Sequence, residues 1–200
     1  MLILASASPR RQELLRHAGI PFRVQPSNID ETIRLGESPV NCAERLAQEK
    51  AIVVSKTCPQ EFVLGADTIV VAEDAILGKP RDPDDAACML RLLSGRKHKV
   101  ITGVCLLSPT SADNAQPLEA ENRKLRTASE TTLVTMRPLT DDEIREYVAT
   151  GEPMDKAGAY AIQGIASRWI PHIEGDYSNV VGLPIALVYR MLRESGALSR

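Results

Sequence analysis

Apolar and polar positions sort the chain into short strands alternating with amphipathic helices. Leu2-Ile3-Leu4-Ala5 is a brief apolar run that reads as a strand. Ser6-Ala7-Ser8 is a small-residue turn, in which Ser8 suits a helix N-cap and Pro9 the first helical position. Arg10 to Ala18 carries Leu14 and Leu15 on one face, and Gly19 closes that helix. Phe22-Arg23-Val24-Gln25 alternates like a strand, and Pro26 to Ser38 is a polar loop holding Asp30 and Glu31. Ser38-Pro39 opens a second helix that runs to about Ser55, with Ala43, Leu46, Ala47, Ala51 and Val54 as its apolar face.

The second half repeats this alternation. Phe62 to Ala66 predicts a buried strand that Thr68 to Ala72 continues, and Glu73-Asp74 turns a hairpin toward Ile76-Leu77. Asp82-Pro83-Asp84-Asp85 is a strong helix start, and that helix runs through Ala86, Met89, Leu90 and Leu93 to Gly95. His98 to Leu107 predicts a strand entered through a basic run, Arg96 to Lys99, of the kind that is usually a solvated loop. Pro109 to Lys124 reads as a flexible connector, and Leu125 to Leu139 as a returning strand. Thr140-Asp141-Asp142-Glu143 is a capping box for a helix ending near Gly151. Asp155 to Gly164 suits either a surface for a flat ligand or a close-packed strand with glycines at its bends. Trp169 to Ile173 is a further strand or edge, and Val180 to Pro184 leads into a last helix with Ile185, Val188, Tyr189 and Leu192 on its inner face.

Composition narrows the class. Two hundred residues suit one domain or two lobes around one cleft. With 44% hydrophobic but only 4% aromatic residues, aliphatic and alanine packing must fill the core. A net charge of −2 argues against non-specific nucleic-acid binding. The four cysteines show no paired spacing, which disfavours disulfides and zinc and fits a reducing cytoplasm. No signal peptide or stretch of membrane-spanning length is expected.

Candidate chemistry begins at the first turn. The free N–H groups of a helix start, with Arg10 and Arg11 beside them, make a phosphate-binding corner. An ordinary turn with two solvated arginines fits these residues equally. Asp67 interrupts an apolar run and needs a metal, a cation or a proton as partner, which favours a catalytic or metal-binding role over a turn cap. Lys50, at the edge of its helix's apolar face, reads by itself as a snorkelling surface lysine. His17, His98 and His172 lack metal-ligand spacing, and no GxxxxGK[ST], GxGxxG or GxSxG motif occurs.

Four stretches together resemble the Maf-like proteins: Ser6-Ala7-Ser8-Pro9-Arg10-Arg11, Gly65-Ala66-Asp67-Thr68, Gly78-Lys79-Pro80 and Asp155-Lys156-Ala157-Gly158-Ala159-Tyr160. The resemblance covers nearly the whole chain in order and implies one domain over residues 1–200. It implies an α/β fold with a mixed, strongly bent β-sheet flanked by helices, two lobes around a deep cleft, similar to inosine triphosphate pyrophosphatases. The implied activity is a nucleoside triphosphate pyrophosphatase that uses Mg²⁺ or Mn²⁺ and releases a nucleoside monophosphate and pyrophosphate. Carried over by position, Asp67 is the proton acceptor, and Ser8, Arg10, Arg11, Lys50 and Lys79 bind phosphate. Asp67 and Glu31 are the metal ligands, and Glu31, Asp155 and Lys156 line the cleft.

Lys156 to Gly164 is similar to the branch acting on dTTP and UTP, with Arg10, Thr68 and Gln163 as specificity positions. The expected partner is therefore a nucleoside triphosphate in the cytoplasm, with neither nucleic acid nor membrane; a homodimer is compatible with the sequence. The alternatives are a pyrophosphatase of the 7-methyl-GTP type and a non-catalytic nucleotide-binding protein linked to septum formation.

Overall fold

The computed structural model describes residues 1–110 and 123–198. The chain runs β1 (Leu2–Leu4), α1 (Pro9–His17), β2 (Phe22–Val24), α2 (Pro39–Ser55), β3 (Phe62–Ala72), β4 (Ala75–Leu77), α3 (Pro83–Leu93) and β5 (Lys97–Leu107). It continues through β6 (Leu125–Thr135), α4 (Asp141–Ala149), β7 (His172–Glu174), α5 (Tyr177–Val181) and α6 (Ile185–Glu194). Among the described residues the strands form one seven-stranded sheet in the order β2-β1-β3-β5-β6-β7, with β4 paired to β3. The sheet is mixed: β1 is parallel to β2 and β3, whereas β3–β4 and β6–β7 are antiparallel. This is the α/β class expected from the sequence.

The chain divides into two compact units. The first comprises residues 1–67, 102–130 and 182–200, and the second residues 68–101 and 131–181. In the first unit, side chains alternate across β1. Leu2 and Leu4 join Leu15, Leu64, Leu187, Val188 and Leu192 on one side; Ile3 and Ala5 join Ala47, Ala51, Val54 and Val63 on the other. The second unit has one core, in which Leu90, Leu93, Val134, Ile144, Tyr147, Tyr160 and Trp169 are buried together.

Local chemistry explains most boundaries. Ser8, Ser38, Asp82 and Thr140 each accept a backbone N–H at the start of α1, α2, α3 and α4, three of them followed directly by proline. The capping box at Thr140 is complete, with Glu143 bonding back to the cap.

Several expectations are corrected. The strand from Leu125 ends at Thr135, not Leu139: Met136 and Arg137 donate to the carbonyls of Arg96 and Trp169, and Pro138 has no N–H to extend a ladder. Asp155 to Gly164 is no strand. Gly158 and Ala159 are left-handed, which no strand accommodates, and the chain around them forms short 3₁₀ turns at Glu152–Asp155, Ala157–Ala159 and Ile165–Trp169. On α6, Tyr189 is exposed, and Leu187 and Met191 take the inner positions beside Val188 and Leu192. His98 is buried in β5, outside any solvated loop, because Tyr160 supplies a hydroxyl 2.8 Å from its Nε2. The connector expected at Pro109 to Lys124 falls largely on residues 111–122, outside the described residues.

Candidate functional site

The site in the first unit is built by a close approach of helix to sheet. A Cβ at Gly65 of β3 would overlap the Ala47 carbonyl oxygen of α2, and one at Gly103 of β5 would overlap the Ala43 carbonyl. Two bare backbones and the small residues Ala43, Ala47 and Ala51 thus let α2 lie directly on the strands. Lys50, between Ala47 and Ala51, is thereby carried to the strand position two residues past Gly65. Its Nζ lies 2.5 Å from Asp67 Oδ1 and 2.6 Å from Glu31 Oε1.

Lys50 and Asp67 are each only 7% exposed, while the Glu31 side chain is 43% exposed. The snorkelling position expected from the sequence for Lys50 is therefore wrong. A buried charge needs a partner, and Lys50 has two. Glu31 is brought in by the loop after β2, which Arg45 of α2 holds. Arg45 donates to both Glu37 carboxylate oxygens, at 2.7 and 2.8 Å, and to the Thr32 carbonyl at 3.2 Å.

The corner after β1 is tied to the same strand. Ser8 Oγ accepts the Arg11 N–H at 3.4 Å and caps α1. Arg11 folds inward, where it donates from Nη1 to the Ala66 carbonyl (2.9 Å) and Ser6 Oγ (3.1 Å), and from Nε to the Gly182 carbonyl (2.8 Å). Burial pulls the guanidinium below its ordinary pKa, and the negative charges of Asp67 and Glu31 work against that shift. Arg11 is thus a framework residue beside the acidic pair, not a solvated arginine; Arg10 stays half-buried.

In the second unit, Thr68 follows Asp67 on β3 and is half-buried. Lys79 is exposed just after β4, where the Gly78 carbonyl accepts the Gly158 N–H at 3.0 Å. Gly158 adopts φ +68° against Val70, where a Cβ would sit 3.0 Å from that side chain. This joins the Gly78-Lys79-Pro80 stretch to the Asp155–Tyr160 stretch. Lys156 is paired with Asp155 and donates to the Glu152 carbonyl at 2.8 Å. Gln163 is exposed at the next turn.

The donor set suits a hard divalent cation. Mg²⁺ typically takes one or two carboxylates and completes its shell with water and phosphate oxygens. The Asp67 and Glu31 carboxylates converge on the Lys50 ammonium, so a divalent cation bound to these two oxygens would take the place that the ammonium holds here. Among the described residues no group of three or more His, Cys, Asp or Glu could hold an ion.

The first unit thus assembles Asp67, Lys50 and Glu31, with Arg11 anchored at the residue preceding Asp67. The second unit carries Thr68, Lys79, Asp155, Lys156 and Gln163. Sequence reasoning missed Gly103, Arg45 and Glu37. A glycine inside an apolar strand pattern was the available signal for Gly103. The Arg45–Glu37 pair spans a loop and left no periodic trace.

The family model for Maf-like proteins matches residues 1–195. A dTTP/UTP pyrophosphatase of Koribacter versatilis is 55% identical over 197 residues, covering 98% of this chain and 95% of that protein. A dTTP/UTP pyrophosphatase of a Geobacillus species is 49% identical over 195 residues, covering 98% of each. The solved structure of the Staphylococcus aureus Ham1 protein aligns with a TM-score of 0.47 at 13% identity, covering 96% of this chain and 98% of that one. Among the described residues no helix is long and apolar enough to cross a membrane.

Proposed function

The chain belongs to the Maf-like protein family, and from that premise we propose that it hydrolyses dTTP and UTP to the nucleoside monophosphate and pyrophosphate. Support comes from relatives of that name at about half identity over nearly the full length. The observation that carries the chemistry is Asp67, buried on β3 with the Lys50 ammonium 2.5 Å from its Oδ1.

Hydrolysis of a triphosphate needs an in-line water and neutralisation of phosphate charge, and little covalent help. In this reading water attacks phosphorus, and the bond joining the α-phosphoryl group to the β,γ-pyrophosphate breaks. Asp67 takes the proton from the attacking water, and pyrophosphate departs with the bond's electron pair. Lys50 orients Asp67 and neutralises phosphate charge, and Glu31 holds Lys50 from its other side. Ser8, Arg10 and Arg11 form the phosphate corner at the start of α1, with Lys79 as a further phosphate cation. Asp155 and Lys156 of the second unit are assigned to substrate contacts, as the family resemblance implies. A divalent cation held by Asp67 and Glu31, Mg²⁺ or Mn²⁺, would supply further charge neutralisation when bound.

Arg10, Thr68 and Gln163 are assigned to the base. The Gln163 amide offers both a donor and an acceptor, which suits the edge of thymine or uracil. The chain acts as one catalytic domain, residues 1–200, in the cytoplasm, where modified pyrimidine nucleotides are further targets.

The test supplies purified protein with dTTP, UTP, CTP, GTP, ATP and 7-methyl-GTP in turn, each with Mg²⁺ or Mn²⁺, and resolves the products. Monophosphate and pyrophosphate from dTTP and UTP in preference to the others are expected. Preference for 7-methyl-GTP would overturn the base assignment, and absence of hydrolysis of all six would overturn the activity.

A further inference from the structure

Gln163 sits at the apex of a turn whose two ends are bonded to one pair, the buried Tyr147 and the half-buried Glu152. At one end, the Ala161 N–H donates to the Tyr147 hydroxyl at 3.4 Å. That hydroxyl in turn donates to Glu152 Oε1 at 2.9 Å. At the other end, the Ile165 N–H donates to Glu152 Oε1 and Oε2 at 3.1 and 3.3 Å. The turn is closed internally by the Gly164 N–H to the Ala161 carbonyl at 3.1 Å. Gly164 leaves room for the carboxylate, since a Cβ there would overlap Glu152 Oε1.

The pair is itself immobilised. Tyr147 is 1% exposed, and its ring packs edge-on against Trp169 at 5.1 Å between centroids. The Glu152 N–H donates to Thr150 Oγ1, and the Lys156 ammonium donates to the Glu152 carbonyl. A carboxylate accepting from a buried phenol and a backbone amide is a rigid bracket. What the bracket fixes is the one segment that presents Gln163.

We infer that Tyr147 and Glu152 are positioning residues for base selection: they clamp residues 161–165 so that the Gln163 amide is held in the orientation that accepts thymine or uracil and rejects cytosine. This rests on the assignment of Gln163 to the base. UTP and CTP differ at the base by exchange of a carbonyl for an amino group, which a fixed amide reads and a mobile one does not.

The experiment compares Tyr147→Phe, Glu152→Ala, Glu152→Gln and Gly164→Ala with wild type, each also in a Gln163→Ala background. Values of kcat and KM are measured for UTP and CTP, and amide hydrogen exchange for residues 161–165. Tyr147→Phe, Glu152→Ala and Gly164→Ala are expected to raise KM for UTP and to lower the UTP-over-CTP ratio of kcat/KM about tenfold, with kcat nearly unchanged. Exchange at 161–165 should rise in these three, and Glu152→Gln, which keeps an acceptor oxygen, should stay near wild type. In the Gln163→Ala background the three should no longer move the ratio.

A wild-type ratio in all three variants would overturn the inference, as would a uniform fall in kcat for both substrates or an effect that persists without Gln163. Wild-type protein turning over neither dTTP nor UTP overturns the functional reading and the selectivity role together. That outcome is recognisable because the exchange data still report on the clamp.

Discussion

Lys50 Nζ lies 2.5 Å from Asp67 Oδ1, and both residues are almost completely shielded from solvent. Asp67 depends on Lys50 more than the reverse, because Lys50 keeps Glu31 as a second partner; a buried charge left without its partner costs about 3–5 kcal/mol relative to the intact pair. Lys50→Met is therefore expected to lower both stability and turnover, since it strands Asp67 and removes the cation proposed to meet the phosphates. Urea unfolding followed by tryptophan fluorescence and the kcat for dTTP check the two effects separately. Lys50→Arg should recover charge but not geometry, and so recover stability better than activity.

The close approach of α2 to β3 makes Gly65 a second point of failure. Gly65→Ala drives a methyl group into the Ala47 carbonyl, which is backbone and cannot rotate aside. A loss of about 1–3 kcal/mol in urea unfolding is expected. Turnover should drop beyond what the unfolded fraction explains, because Lys50 moves with the helix. Wild-type stability in this variant would mean that α2 does not sit as close as described.

Arg11 serves the framework in addition to the phosphate corner proposed for it. Arg11→Ala leaves the Gly182 and Ala66 carbonyls without the donors they have now. The expected cost is about 2 kcal/mol of stability, read by chemical unfolding. Weaker triphosphate binding should accompany it, read by calorimetry with dTTP in the Asp67→Asn background. Full stability in the alanine variant would contradict the framework role.

His98 gives the fold a pH dependence of defined sign. Burial lowers its pKa to about 4 from an ordinary value near 6.5. The unfolded chain therefore binds the proton first. Stability is complete above pH 6.5 and is lost as pH falls toward 4, by about 3 kcal/mol over that window. Tyr160, its partner, is pushed upward by burial and stays protonated throughout. Urea midpoints between pH 7.5 and 4 should fall for wild type, with a flatter slope for His98→Gln.

Much of this was legible in the sequence where a local rule governs. Ser8-Pro9, Ser38-Pro39, Asp82-Pro83 and Thr140 each start the helix they announce. Asp67, a carboxylate among strand formers, does have the cation that its position demanded. What depended on distant partners was not legible. Lys50 reads as a surface lysine because nothing on α2 reveals the glycine on β3 that draws it inward. Tyr189 has helical spacing with Ile185 and Leu192 yet faces out, because the packed face of α6 is centred on Val188 and Met191. The Asp155–Gly164 stretch has glycine and alanine where left-handed backbone is needed, and periodicity does not encode handedness. The order of the four motifs identified the family resemblance; the bracket behind Gln163 came only from the fold.

The central claim is that Asp67 performs proton transfer in the release of pyrophosphate from dTTP. The direct measurement is the rate of pyrophosphate formation from dTTP by wild type and Asp67→Asn, with Mg²⁺ and with Mn²⁺, after both proteins are shown to be folded. The amide keeps the shape of the side chain and an oxygen for Lys50, and removes the proton acceptor. A fall of about 10²-fold or more in kcat with dTTP still bound is the predicted result. Turnover within a few-fold of wild type would remove Asp67 from the reaction and contradict the account.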